Sequence, residues 1–190
     1  MEMTPNRMLA LSQESLVALR AALFRDCGDG AAGLLQEAGY AGGPAVYAAF
    51  GRWLATRGEG TPADVPSDRF PKLATEFFRE CGWGSLTLEA IGGVAAADSP
   101  DWSESDPSQP LAFPGCYYTA GVFAHFFGEL AAEPVAVMEV ECRSAGSDRC
   151  RFLLGTPEAL QAIYDQMGAG MSYAEAAVAA VAAMASDALR

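Results

Sequence analysis

The chain has 190 residues, 51% of them apolar, and 24 acidic against 12 basic side chains give it a formal net charge of −12. That length suits one domain with a sizeable core, and the apolar share excludes a disordered chain. The basic residues are scattered, which argues against nucleic acid or an anionic membrane surface as a partner, because both need a basic face.

No apolar run reaches the ~18 residues of a membrane span. The start, Met1 to Arg7, lacks the shape of a signal peptide, so a cytoplasmic location is expected. In a reducing compartment, paired cysteines are more often metal ligands or core residues than disulfides.

Ser12 is placed to cap a first helix running to about Arg25, with Leu16, Leu19 and Leu23 on one face. A second helix is expected over Ala31 to Ala38. A third follows Gly43-Pro44, where Val46, Tyr47, Phe50, Trp53 and Leu54 form an apolar stripe. After the loop from Gly58 to Asp64, a fourth helix runs from about Ser67 to Glu80. Cys27 and Cys81 sit in matching settings, Arg-Asp-Cys-Gly and Arg-Glu-Cys-Gly, which read as two glycine-terminated helix ends. Trp83 to about Ala96 alternates as a strand through Gly92-Gly93.

Residues 98–114, the most polar stretch, are expected to form a long surface loop, either a lid or idle. Cys116 to Leu130 is apolar on nearly every side and predicts a buried central helix. Val135 to Glu141 and Arg151 to Leu154 read as the arms of a hairpin. Thr156-Pro157 opens a helix, and Ser172 with Glu175 forms a capping box for a last one reaching about Leu189. Strands do not alternate with helices, so the expected fold class is α+β, an antiparallel sheet packed with helices in a single domain, 1–190.

The hairpin brings Cys142 and Cys150 close together. Zinc takes thiolate, imidazole and carboxylate ligands, and closed structural sites use four. Cys116, Glu139, Cys142 and Cys150 would supply them and pin the buried helix to the hairpin. In a regular strand Glu139 and Cys142 point to opposite faces, so the carboxylate reaches the metal only if the strand twists or bulges. The competing readings are three small core cysteines with a solvated glutamate, and a cross-strand disulfide between Cys142 and Cys150.

The run Glu139-x-x-Cys142-Arg-Ser-Ala-Gly146-Ser-Asp-Arg-Cys150-Arg-Phe, preceded by Pro114-Gly-Cys116, resembles the closing motif of vinyl-4-reductase-type domains. The same module serves as the sensory domain of phenol- and xylene-responsive activators. Gly82-Trp83-Gly84 and Asp98-Ser99-Pro100 are similar to the family as well, and the resemblance covers roughly residues 8–155, leaving 156–190 as added C-terminal helices. It implies a fold similar to the nitric-oxide-signalling and Golgi-transport ligand-binding domains, zinc at the four residues above, a hydrophobic pocket for a small apolar or aromatic ligand, and a homodimer. The activators hold phenol with a histidine and a tryptophan upstream of the first zinc cysteine. Here no histidine precedes Cys116, and the tryptophan position falls near Ala95.

The aromatic helix and its flanks suggest the pocket wall: Phe123, Phe126, Trp83 and Tyr47, with His125 or Tyr118 as polar handle. His125, the lone histidine, is otherwise a haem ligand or an ordinary core residue. The expected function is a zinc-containing binding module acting as sensor or carrier. Two alternatives are a reductase of a vinyl group on a chlorophyll precursor and a scaffold subunit of a vesicle-tethering-like complex. No dinucleotide loop and no catalytic set beyond the metal ligands is visible.

Overall fold

The computed structural model describes residues 9–187. Ser12 caps α1 (Gln13–Cys27), its side chain accepting from Ser15 N. Then comes α2 (Gly30–Thr56), 27 residues long and unbroken at Pro44. The two helices expected on either side of Gly43-Pro44 are one. An internal proline costs a helix about 3 kcal/mol, by deleting one amide and crowding a carbonyl. Packing against α4 (Tyr117–Ala131) offsets it. A Cβ on Gly39 would lie 2.0 Å from Tyr118 O, one on Gly43 2.3 Å from His125 Cβ, and one on Gly121 2.0 Å from Gln36 O. The two backbones therefore touch, and α4 needs both halves of α2 in line.

After α3 (Phe70–Glu80), the stretch expected as one strand turns back on itself. Gly92 and Gly93 have φ of 57° and 96° and join β1 (Thr87–Ile91) to β2 (Val94–Ser99). Two successive positive-φ residues suit a two-residue hairpin turn, and glycine adopts them without steric cost. With β3 (Ala136–Glu141) and β4 (Cys150–Gly155) these strands form one antiparallel sheet, in the order β1-β2-β4-β3. The fold is α+β, as the sequence pattern predicts.

Helices cover both faces of the sheet. Ala97, Phe152 and Leu154 face the large core shared with α2, α3 and α4. Val94, Ala96 and Leu153 face a smaller core closed by α5 (Pro157–Gly168) and α6 (Tyr173–Asp187). Thr156 caps α5 by accepting from Ala159 N, and Ser172 and Glu175 bond each other's amides at the start of α6. The expected end of that helix near Leu189 lies outside the described residues.

The segment expected as a surface loop, 98–114, runs partly inside the protein. Asp98 and Ser99 belong to β2, and Trp102, Glu104 and Ser105 are buried. Trp102 stacks into an aromatic cluster with Phe78, Phe123 and Phe152, at centroid distances of 5.7, 5.1 and 6.4 Å. The apolar ring outweighs the polar composition of its neighbours, and the segment is a strap rather than a lid.

Candidate metal centre

Cys116 is the N-cap residue of α4, Glu139 lies on β3, Cys142 follows that strand and Cys150 begins β4. Between Cys142 and Cys150 the chain makes a single 3-10 turn, Arg143–Ala145, and reverses at Gly146 with φ of 90°. The hairpin loop thus spans residues 142–149. Both Ala145 N and Ser147 N donate to Cys142 O, which fixes the turn beside the thiol.

One ligand atom from each of the four residues lies within 4.8 Å of all the others. The Cys116 sulfur is 3.9 Å from those of Cys142 and Cys150. Sulfurs at about 2.3 Å from a tetrahedral zinc are about 3.8 Å apart, and a disulfide would need about 2.05 Å. The spacing therefore fits metal coordination and not a cross-link.

All three thiols are buried. Glu139 Oε2 accepts from Cys116 N at 2.8 Å, and its other oxygen, Oε1, is buried with no hydrogen-bond partner. A buried carboxylate oxygen that meets no donor, beside three thiols, has the setting of a metal ligand.

Electrostatics point the same way. Burial, with the Cys142 and Cys150 thiols, pushes Cys116 well above the ordinary thiol range. Burial and the neighbouring Cys142 push Glu139 up to about 8. Hydrogen bonds from Cys116 and Cys150 hold Cys142 low. Four acidic groups buried together disfavour one another's ionised forms. A divalent cation would stabilise all four in the ionised form.

The four residues singled out by spacing are thus together, and of the six suggested ligand contacts five belong to the large core and His125 lies apart. Phe123 and Phe126 are fully buried and ringed by other aromatics: Phe126 meets Tyr47, Phe50, Phe78 and Phe127 at 5.2–5.9 Å. Trp83 stacks on Tyr118 at 6.0 Å and 12°. His125 sits elsewhere, edge-on to Tyr40 at 5.1 Å and 3.6 Å from Glu129, bordering an open cleft of about 570 Å³.

A second open cleft, of about 490 Å³, lies on the large-core face of the sheet. Leu88, Ala95 and Leu154 form its floor, Phe70 and the 62–67 segment one side, and Phe127 and Leu130 the other. None of its thirteen lining residues is charged, and Ser67 alone carries a side-chain polar group. Sequence periodicity did not reveal this cleft, because its lining comes from five separate segments. Nor did it single out Arg20 or Glu104. The signals were present: Arg20 falls on the face of Leu16 and Leu23, and Trp102 stands alone in a polar run.

The match to a known family falls on the cysteine–glutamate cluster. The family model of the vinyl-4-reductase domain matches residues 112–156, from just before Cys116 to just past β4. The chain resembles that family over this segment. Its matched segment holds all four residues of the cluster. Over a wider span, the chain is similar to the phenol-responsive sensory domain of the transcription activator PoxR, solved with phenol. The two are 21% identical with a TM-score of 0.60, over 77% of this chain and 75% of that one. It is also similar to a vinyl-4-reductase family protein from Methanocaldococcus jannaschii, 16% identical with a TM-score of 0.53, over 82% and 95% of the two chains. At such identities the likeness is one of fold. No curated protein matches.

Proposed function

We propose that the protein is a zinc-stabilised binding module for a small, neutral, apolar molecule, acting as a sensor or carrier of it. Cys116, Glu139, Cys142 and Cys150 hold the zinc. Three thiolates and a carboxylate suit that ion, and four protein ligands leave it a structural role. Glu139 Oε1, buried and without a partner, supports this assignment most directly.

The cleft over Ala95 carries the ligand reading. Its volume of about 490 Å³ falls in the usual small-molecule range of roughly 300–1,000 Å³. Its uncharged lining selects against ions, since a buried charge with no partner is costly. We place the ligand against Phe70, Leu88, Phe127 and Leu130, not among Phe123, Phe126 and Tyr47, whose rings already fill one another's space. A sensory domain of the same fold solved with phenol supports the class of ligand.

Titration of the full chain with 1-naphthol, followed by tryptophan fluorescence, tests the site. Saturable quenching is expected, and Ala95→Phe, which fills the floor of the cleft, should abolish it while leaving the circular dichroism unchanged. No saturable binding to the wild-type protein, or undiminished binding to Ala95→Phe, would overturn the reading.

A further inference from the structure

We propose that Glu104 is a positioning residue for the metal centre: it caps the first turn of α4 in place of Cys116 and so holds the Cys116 sulfur toward the other three ligands. The inference rests on the metal reading above.

A helix N-cap residue ordinarily turns its side chain back to accept from the second or third amide. Cys116 occupies that position and makes no such bond, because its sulfur faces Cys142 and Cys150. The amides it leaves are in the interior, where an unmet donor is expensive. Glu104, far off in the strap, meets them. Its Oε1 accepts from Tyr118 N at 3.0 Å, and its Oε2 accepts from Thr119 N at 2.7 Å and from the Thr119 hydroxyl. Cys116 N donates to Glu139. Two carboxylates thus cap the helix, and the thiol is left for the metal.

Glu104 is itself held from both sides. Trp102 Nε1 donates to Thr119 Oγ1 at 2.7 Å, and Arg20 Nη1 donates to the backbone oxygens of Glu104 and Gly115 at 3.3 and 3.2 Å. Gly115 directly precedes Cys116. Further on, Asp106 N donates to Ser144 Oγ and Leu111 N to Ser144 O, each at 2.8 Å. Ser144 lies in the turn between Cys142 and Cys150. The strap therefore joins both thiol-bearing elements, with Glu104 as its contact to α4.

A brace for the fold alone would leave metal affinity untouched, and cobalt(II) separates the two roles. The full-length chain is titrated in competition with a chelator, and the thiolate-to-cobalt absorption is recorded. Wild-type protein is expected to bind one cobalt per chain. Glu104→Gln has one acceptor oxygen for three donors, and it should bind cobalt at least about tenfold more weakly with altered absorption, as supporting residues of metal sites commonly do. Thr119→Val, which removes one of those donors and keeps the side chain's shape, should weaken it in the same direction by a smaller factor. If folded Glu104→Gln binds cobalt as tightly as wild type with the same bands, the positioning role is wrong. If Glu104→Gln does not fold, unchanged affinity in Thr119→Val overturns it. A wild-type chain that takes up no cobalt overturns the metal reading and this role together.

Discussion

Glu139 and Cys142 deliver ligand atoms to the same cluster although they lie three residues apart along one strand direction, and Val140 is the reason. Glu139 pairs with Phe152 and Glu141 with Arg151, so Val140 is an extra residue in β3. Val140 packs toward α5 and α6, and Glu141 bonds Arg149 and Tyr173. The bulge absorbs the odd step and returns Cys142 to the face of Glu139.

Deleting Val140 should therefore spare the metal site. The strand becomes regular, and Glu139 and Cys142, now two apart, still share a face. The cost should be lost packing in the smaller core, about 1–2 kcal/mol. Metal analysis of the deletion variant should still find about one equivalent per chain; a chain without metal would show that the bulge does more than set the register.

Cys150→Ser removes a ligand from β4 and should abolish stoichiometric metal binding. Chelation of the wild-type metal should destabilise the protein as well. At free metal a thousandfold above Kd, bound metal contributes about 4 kcal/mol, or roughly 10 °C in Tm for a chain this long. Calorimetry with and without chelator measures the difference, which should vanish in Cys150→Ser.

Phe126 is fully buried in the large core. Replacing it by alanine deletes a ring buried among four others and should cost about 3–5 kcal/mol in denaturant unfolding. Naphthol affinity of the folded fraction should not change. A loss below about 1 kcal/mol would mean that the aromatic cluster has room to collapse.

Acid should loosen the contact between β3 and α6. The hydrogen bond from Arg149 holds the Glu141 carboxyl below its ordinary range, against partial burial and with help from the Tyr173 hydroxyl. A carboxyl depressed in the folded state stabilises the protein above its unfolded value, about 4.3, and that contribution fades as pH falls through the folded value. Glu141→Gln should be less stable than wild type at neutral pH, with the gap closing under acid. Urea midpoints across the acid range measure it; a gap that persists at the lowest pH would contradict the assignment.

By itself the sequence determined what acts over a few residues. Ser12, Thr156-Pro157 and the Ser172–Glu175 box mark helix starts, because a cap and its amides lie within one turn. The order and spacing of Cys116, Glu139, Cys142 and Cys150 pointed to the cluster that could hold a metal, because thiols across a short hairpin can hardly avoid one another. Contacts between distant segments were decided only by the tertiary structure. Pro44 stays inside α2 because α4 packs on Gly39 and Gly43, some eighty residues away in sequence. Trp102 and Glu104 are buried in a polar stretch because the first turn of α4 needs acceptors and the aromatic cluster needs a ring. The aromatic face of α4 could have walled a pocket or filled a core. Rings from α2, α3 and β4 meet it, and an open cleft lies instead over Ala95.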